Sequence, residues 1–322
     1  MKIYYESWNP GPDAQIDIRR AEAICEEYAA QGFDLTLRQL YYQFVSRDWI
    51  PNTVQSYKRL GSVINKARMA GLLDWSYIVD RTRNLARNSH WDNPADIMRG
   101  AAQGYAIDKW ADQPRRVEIW VEKEALAGIV GQVATELDVP YFSCRGYVSQ
   151  SELWRAGRRI GRHMAAGRQA VTVLHLGDHD PSGIDMTRDI RERLELFIGE
   201  DWGQHRLVEL DYTNADDDLP PLEVRRIALN FDQVRRYNPP PNPAKETDSR
   251  AGSYKQLYGS QSWELDALEP ATLADLIRTH VEGIRDDDLY AAQEATEAEH
   301  RELLVAASDR WQDVAAFLDG VA

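Results

Sequence analysis

The chain has 322 residues, of which 43% are hydrophobic and 28% charged, and its formal net charge is −14 at pH 7. This length predicts two domains with substantial cores, and the composition excludes a disordered chain. No apolar run approaches the ~18 residues of a membrane span, and no secretory signal is visible. Cys25 and Cys144 form no CxxC motif, which fits a reducing compartment. We therefore expect a cytoplasmic protein without membrane contact.

The charge is spread unevenly along the chain. Residues 36–90 contain nine basic and three acidic residues, a balance of +6, so the remainder carries −20. Runs of three aspartates at 216–218 and 286–288 are typical of solvated loops. Because nucleic acid binding needs a basic surface rather than a basic protein, the total charge does not exclude DNA as a partner.

Three short helices are predicted in the N-terminal third. The first spans about 14–30, the second runs from an N-cap at Thr36 to about 46, and the third spans about 54–70. Residues 73–79 are a possible strand. This order, with a basic third helix, is typical of a winged helix-turn-helix domain.

Basic residues in this third mark a candidate DNA-binding surface. On the third helix, residues 58, 62 and 66 recur every four positions and therefore share one face. Lys245 and Arg250 follow a proline-rich loop. They are equally well interpreted as contacts to DNA phosphates or as ordinary exposed loop residues. The predicted DNA-binding residues are Lys58, Arg59, Ser62, Lys66, Arg81, Arg83, Lys245 and Arg250.

Two adjacent tyrosines lie on the second helix. Tyr41 belongs to an apolar stripe with Leu37, Leu40 and Phe44. Tyr42 lies about 100° away around the helix, so we expect it to be exposed, with Arg38 one turn before it. A phenol beside a guanidinium is a candidate nucleophile towards phosphate, because the arginine neutralises phosphate charge and favours phenolate. A surface tyrosine that only hydrogen-bonds to a DNA phosphate explains the same pattern.

From residue 115 onward, strands and helices alternate. Strands are predicted at 117–121, 141–144 and 170–176, with 207–210 as a candidate fourth strand. Helices are predicted at 125–137, 151–166 and 184–198. This alternation predicts an α/β fold with a parallel sheet. A linker-like stretch at 88–113 precedes it, and mostly helical sequence follows residue 271. We place the domains at 1–112 and 113–322.

The strongest chemical signal lies where the strand 170–176 ends. Asp178 and Asp180 follow it and point the same way in extended backbone, with His179 pointing the other way, and Glu122 ends the first strand. Ligands of α/β sheets bind at the carboxyl ends of strands, so these acids converge if the two strands are neighbours. Such carboxylates suit Mg²⁺ or Mn²⁺. The alternative is that the aspartates only cap the next helix.

Two other acidic features carry less weight. Glu264 and Asp266 are expected on the surface of a later helix or strand, and the alternative is that they are a further acidic support for the site. A metallophosphoesterase is disfavoured, because the Asp-x-His and Gly-Asn-His motifs of that family are missing from the sequence.

These motifs occur in the order found in one known family. The sequence resembles the A subunit of topoisomerase VI and Spo11 over residues 18–268. The resemblance implies a CAP-like winged helix joined to a Toprim domain, a Rossmann-like parallel sheet, followed by C-terminal helices. The matching segments are Arg38-Gln39-Leu40-Tyr41-Tyr42, Val121-Glu122-Lys123-Glu124-Ala125, Arg145-Gly146-Tyr147, Gly177-Asp178-His179-Asp180-Pro181-Ser182-Gly183 and Trp263-Glu264-Leu265-Asp266-Ala267-Leu268.

The resemblance also implies residue roles. Tyr42 matches the nucleophile, and Arg38 matches the arginine that binds the scissile phosphate. Glu122, Asp178 and Asp180 match the metal-binding acids, with Glu122 also catalytic. The implied reaction is Mg²⁺-dependent transesterification of double-stranded DNA, which leaves a 5′-phosphotyrosyl link and a free 3′-hydroxyl. A homodimer is implied, in which the tyrosine of one subunit works with the acids of the other, in a nucleoid-associated protein.

Departures from the family pattern shape the remaining expectations. The Arg-x-Leu-x-Ile segment that commonly follows the family's winged helix is replaced at residues 67–75. The sequence has no P-loop, so an ATPase would be a separate subunit or accessory factor. We expect a compact relative of the kind found in phages and mobile elements. The alternatives are a Toprim nuclease that uses water, and a non-catalytic winged-helix DNA-binding protein.

Overall fold

A computed structural model gives the fold, and it describes residues 1–79, 90–166, 169–209, 220–244, 248 and 250–321. Within them, the helices are α1 (Pro12–Ala29), α2 (Leu37–Ser46), α3 (Val54–Met69), α4 (Pro94–Gly104), α5 (Ala127–Glu136), α6 (Gln150–Ala166), α7 (Pro181–Glu209), α8 (Phe231–Tyr237), α9 (Ala251–Tyr258), α10 (Pro270–Glu282), α11 (Asp287–Asp309) and α12 (Trp311–Val321). The strands are β1 (Arg115–Val121), β2 (Tyr141–Ser143), β3 (Ala170–Leu176), β4 (Leu222–Ala228), β5 (Asn242–Pro243) and β6 (Gln261–Ser262).

Strands β1 to β4 form one sheet and confirm the predicted parallel α/β sheet. Their order is β2-β1-β3-β4, and all neighbouring pairs are parallel. Central strand β1 pairs in register with β3, so that Val121 lies opposite Leu176. The predicted strand at 207–210 is wrong, because residues 207–209 belong to α7, and residue 210 lies outside the described residues. A run of four residues with apolar members does not distinguish a strand from a helix.

The three N-terminal helices lie where the sequence predicts them. Thr36 caps α2, because its backbone N–H donates to Gln39 Oε1 (2.8 Å) and its hydroxyl accepts from the Gln39 N–H (3.3 Å). The predicted strand at 73–79 is wrong. These residues form turns and one parallel bridge between Leu35 and Ile78, because Asp74 turns the chain by accepting from the N–H of Ser76 at 2.9 Å.

Part of the predicted linker is a helix. Asn93 caps α4 by accepting from the N–H of Asp96 at 3.0 Å, and Pro94 occupies the first turn. Both residue types also favour turns, which is why the segment resembles a linker in sequence. Helix α4 packs on α11, where Ser308 Oγ donates to the carbonyl of Ala95 at 2.9 Å.

The sheet separates two hydrophobic cores. Alternate residues of a strand face opposite sides, so Ile119 faces α5, α10 and the N-terminal helices, whereas Trp120 faces α6 and α7. The first core is continuous from α1–α3 to the sheet and includes Tyr42. The N-terminal helices are therefore held close to one face of the sheet.

The cysteines, the two aspartate runs and the lengths of the helices complete the description of the fold. Cys25 and Cys144 are both buried and free. The aspartates at 286–288 start a helix rather than forming a loop, because Asp286 caps α11 and accepts from the N–H groups of Asp288 and Leu289. Residues 216–218 lie outside the described residues. In the part of the chain that is described, every helix is too short or too polar to cross a membrane.

Candidate active site

The structure brings Glu122 and Asp178 together at the carboxyl ends of β1 and β3. The N–H of Glu122 donates to the carbonyl of Leu176 at 2.8 Å, which extends the strand pairing by one residue. Oε2 of Glu122 then accepts from the N–H of Asp178 at 2.8 Å. These two carboxylates lie at the edge where parallel α/β sheets bind ligands.

Asp180 lies two residues further along and bonds to the first turn of α7. Its Oδ1 accepts from the N–H of Gly183 at 2.6 Å and from the hydroxyl of Ser182 at 3.0 Å. Gly183 is required here, because a Cβ would lie 2.2 Å from the Asp178 carbonyl oxygen. Asp180 thus has the helix-capping contacts that the sequence allowed as an alternative, and its role as a metal ligand stays a prediction.

Burial leaves the negative charges of this edge poorly compensated. Burial, together with the charge of Asp178, raises the pKa of Glu122 to about 7. Burial also raises the pKa of Asp178 to about 6, although Lys123 opposes this shift. Buried carboxylates that share a site disfavour each other's ionised form, and a bound cation would relieve this cost.

Lys123 supplies one positive charge to the site. Its Nζ lies 3.0 Å from Asp178 Oδ1, 2.8 Å from Glu264 Oε2 and 2.8 Å from Asp266 Oδ1. Burial alone would lower the pKa of Lys123, but the carboxylates of Asp266, Asp178 and Glu264 outweigh it and raise that pKa. Three acids therefore surround one ammonium group.

The surface position expected for Asp266 is wrong, whereas the Glu264 side chain stays 26% exposed. The backbone of Trp263 pairs with that of His179 through two hydrogen bonds (2.8 and 3.0 Å), which lays the segment beside Asp178. A single 3₁₀ turn, Leu265–Ala267, then rotates the Asp266 side chain inward, so that it has no exposed surface. The alternation of apolar and acidic residues in the sequence gives no sign of this turn.

The donor set fits a magnesium ion held by two carboxylates. Mg²⁺ is commonly bound through one or two carboxylates, with waters and substrate phosphates completing its shell. Glu122 is half-buried and Asp178 is buried, and both carboxyl groups have a raised pKa. They line a cavity of about 460 Å³ with Lys123, Arg145 and Asp266. Within the described residues, no group of three or more His, Cys, Asp or Glu side chains is arranged to hold an ion.

Arg38 reaches the same acids from helix α2. Its Nε donates to Asp266 Oδ2 at 2.8 Å, and its Nη2 forms an ion pair with Glu264 and lies 3.3 Å from the Tyr42 hydroxyl. Arg38 and Glu264 line both the acidic cavity and a second cavity of about 210 Å³ that contains Tyr42. The ion pair between them forms the boundary between the two cavities.

The expected exposure of Tyr42 is wrong. Its side chain is 3% exposed, because α2 packs against the turn at Leu265–Ala267 on the side that the helix pattern leaves polar. Arg38 lowers the pKa of Tyr42, which is the direction expected from the sequence. Burial, with the charges of Asp266 and Glu264, raises the pKa of Tyr42 and outweighs the opposing effect of Arg38.

The polar face of α3 is present as predicted. Lys58, Ser62 and Lys66 are exposed, whereas the residues on the inner side, Leu60 and Ile64, are buried. The contact of Lys58, Ser62 and Lys66 with DNA stays a prediction.

The remaining candidates have other partners or lie outside the described residues. Arg59 pairs with the buried carboxylate of Asp17 at 2.7 Å and so joins α3 to α1. Arg250 pairs with Asp185 at 3.1 Å and lies over the Tyr147 ring. Arg81, Arg83 and Lys245 lie outside the described residues.

His179 faces away from the acids. Its Nδ1 hydrogen-bonds with the Tyr254 hydroxyl at 2.9 Å, and the rings of Phe231, Tyr258 and Trp263 surround it. Burial lowers the pKa of His179 to about 4, so the side chain is neutral and packs the loop after β3.

A scan against protein-family models and a search of curated proteins both found no match to this chain.

Proposed function

We propose that this protein is a DNA-cleaving transesterase of the topoisomerase VI A/Spo11 kind, acting as a homodimer on double-stranded DNA. One observation carries the proposal. Within one chain, Lys123, Glu264 and Asp266 link the carboxylates of Glu122 and Asp178 to the Arg38–Tyr42 pair in one charged network, which favours a tyrosine that works with the acids of its own chain rather than with those of the partner subunit. An arginine beside a tyrosine, next to a strand-edge acid pair, supplies the groups that phosphoryl transfer to a tyrosine needs.

The architecture supports the same proposal. The acids follow two adjacent parallel strands, which is where a Toprim domain would carry them. The exposed cations of α3 lie on a helix that follows two others, as in a winged helix-turn-helix. Neither feature is specific alone, and their order along the chain is what the resemblance requires.

In the proposed reaction, Tyr42 Oη forms a bond to the DNA phosphorus while the bond from phosphorus to the 3′-oxygen breaks. The phenol loses its proton, the 3′-oxygen gains one, and no water is consumed. Arg38 would bind the phosphate in exchange for its present carboxylate partners. Glu122 and Asp178 would hold Mg²⁺, which when bound stabilises charge on the phosphate and the leaving oxygen.

The experiment is a cleavage assay with supercoiled DNA and Mg²⁺, quenched in detergent, followed by detection of protein attached to 5′ ends. Tyr42→Phe should abolish the covalent adduct. Tyr41→Phe is the matched control, because Tyr41 is also buried and its hydroxyl bonds Asn52 at 2.9 Å, away from the acids. The control should keep the adduct. Adducts that persist in Tyr42→Phe would exclude this proposal.

A water-using Toprim nuclease is the second candidate, and the burial of Tyr42 with its raised pKa favours it. This enzyme would leave free 5′-phosphate ends with no attached protein. Cutting would survive Tyr42→Phe and be lost in Glu122→Gln. If DNA is bound but never cut, with or without an ATPase partner, the chain is a DNA-binding protein whose acids are structural.

A further inference from the structure

Helix α6 has an outward face rich in arginine. The helix carries four arginines and one glutamate, a formal charge of +3 in a chain whose total is −14. Its inner face is apolar and packs between the sheet and α7, through Leu153, Ala156, Ile160 and Met164. The residues left exposed between 151 and 165 are Ser151, Trp154, Arg155, Arg158 and Arg162.

The helical spacing places these side chains on one surface. Trp154, Arg158 and Arg162 recur every four residues, and Arg155 lies beside them. The Trp154 ring is 52% exposed, and the guanidinium of Arg158 lies 6.0 Å from its centre. The surface therefore combines a planar apolar ring with adjacent positive charges.

The contacts of Arg155 and Arg162 add little negative charge to this surface. Arg155 pairs with Glu152 at 2.6 Å, but both side chains are exposed, so the contact contributes little. Arg162 Nε donates to the backbone carbonyl of Arg158 at 3.2 Å, a bond that brings no negative charge. Arg159 differs, because it donates two hydrogen bonds to the buried carboxylate of Glu118 and belongs to the fold.

This surface lies on the far side of the sheet from Tyr42. Trp120 and Val173 belong to the core under α6 and α7, whereas Ile119 and Leu174 belong to the core that includes Tyr42. A strand bound along α6 is therefore separate from any strand that reaches Tyr42.

We propose that the outward face of α6 binds a single-stranded nucleic acid segment. The phosphates would contact Arg155, Arg158 and Arg162 through charge-assisted hydrogen bonds, and a base would stack on Trp154. Bases in a duplex are already stacked on each other, so an exposed ring favours unpaired bases. This inference does not require that Tyr42 cleaves DNA.

The test measures binding of a labelled oligothymidylate to the full chain by fluorescence anisotropy over a range of salt concentrations. Arg158→Gln/Arg162→Gln should weaken binding about tenfold at low salt and lower the salt slope by about 1.4, since each phosphate contact to a single strand contributes about 0.7. Trp154→Ala should weaken binding about tenfold at every salt concentration without changing the slope. Trp154→Phe keeps a ring that can stack and should retain most of the affinity.

The control variant is Arg99→Gln/Arg310→Gln, which removes the same charge from two exposed arginines near the C-terminal helices. It should leave binding unchanged, and thermal melting checks that every variant folds. Equal weakening in the control would overturn the proposal, because net charge alone would explain it. If polyglutamate competes as well as the oligonucleotide and Trp154→Ala has no effect, the surface fits an acidic protein segment and the proposal is also overturned.

Discussion

Nζ of Lys123 lies 2.8 Å from Oδ1 of Asp266, a carboxylate with no exposed side-chain surface. The other oxygen of Asp266 accepts a hydrogen bond from Arg38 Nε at 2.8 Å. One buried acid therefore connects the sheet edge that carries Glu122 to the helix that carries Tyr42. The contacts of Asp266 with Lys123 and Arg38 should stabilise the folded chain, and their contribution can be measured as a free energy of unfolding.

Asp266→Asn should lower the free energy of unfolding by about 2 kcal/mol, because it leaves Lys123 and Arg38 with one fewer charged partner in a buried place. Urea denaturation followed by circular dichroism measures this change. Glu152→Gln removes an acid from an exposed ion pair with Arg155 and should change stability by less than about 0.5 kcal/mol. Equal effects of the two substitutions would contradict the buried network.

Mg²⁺ should raise the melting temperature of the wild-type chain, because a dication at Glu122 and Asp178 relieves their repulsion. At an ion concentration of about 100 times Kd, the gain is about 2.7 kcal/mol. Glu122→Gln/Asp178→Asn should abolish the shift in scanning fluorimetry against NaCl of equal ionic strength. Glu124→Gln is the control, since Glu124 lines the same cavity but pairs with Arg145. A shift that persists in the double variant would place the ion elsewhere.

His175 should make the chain sensitive to acid. It is buried in β3, and burial, with the charge of Arg226, lowers its pKa to about 3. The imidazole of His175 has a pKa of about 6.5 in the unfolded chain, so below this pH it binds a proton in the unfolded chain but not in the folded one. The free energy of unfolding therefore decreases by about 1.4 kcal/mol for each pH unit by which the pH is lowered. His175→Gln should remove this part of the slope between about pH 6.5 and 4.

The measurement for His175 is the free energy of unfolding as a function of pH, compared as slopes rather than absolute values. His300→Gln, on an exposed surface of α11 where the ring hydrogen-bonds with the Tyr105 hydroxyl at 2.8 Å, is the comparison for the loss of a histidine outside the sheet. Parallel curves for wild type and His175→Gln would show that the buried imidazole does not contribute.

Lys58 and Arg59 are neighbours in sequence and should have different roles. Lys58 is exposed, so Lys58→Gln should lower the salt slope of duplex binding by about 0.9 and leave stability unchanged. Arg59 pairs with buried Asp17, so Arg59→Gln should cost about 1 to 2 kcal/mol of stability and leave the slope unchanged. Fluorescence anisotropy and urea denaturation, applied to both variants, give the comparison. Identical slopes for the two variants would argue against α3 as a DNA-binding face.

Features that depend on residues close in sequence could be predicted, whereas features that depend on tertiary packing between distant segments could not. The N-cap at Thr36 and the apolar strand β3 depend on near neighbours, and both lie where the sequence predicts them. The burial of Tyr42 depends on the turn at Leu265–Ala267, more than two hundred residues away in the sequence. The inward position of Asp266 depends on the same turn and on contacts with Lys123 and Arg38, and a helical-face or strand-face pattern contains no information about such distant partners.

The ion pair between Arg38 and Glu264 separates the tyrosine cavity from the acidic cavity, and Lys123 lies against Asp178. In the proposed enzyme without DNA or metal, protein groups occupy the positions of both ligands. The carboxylate of Glu264 pairs with Arg38 in place of a DNA phosphate, and the ammonium of Lys123 pairs with Asp178 in place of a metal ion. Displacing only Glu264 from Arg38, or only Lys123 from Asp178, leaves the displaced side chain with one fewer partner of opposite charge. When both are displaced, Glu264 and Lys123 can still pair with each other. DNA and the metal ion should therefore bind with positive cooperativity.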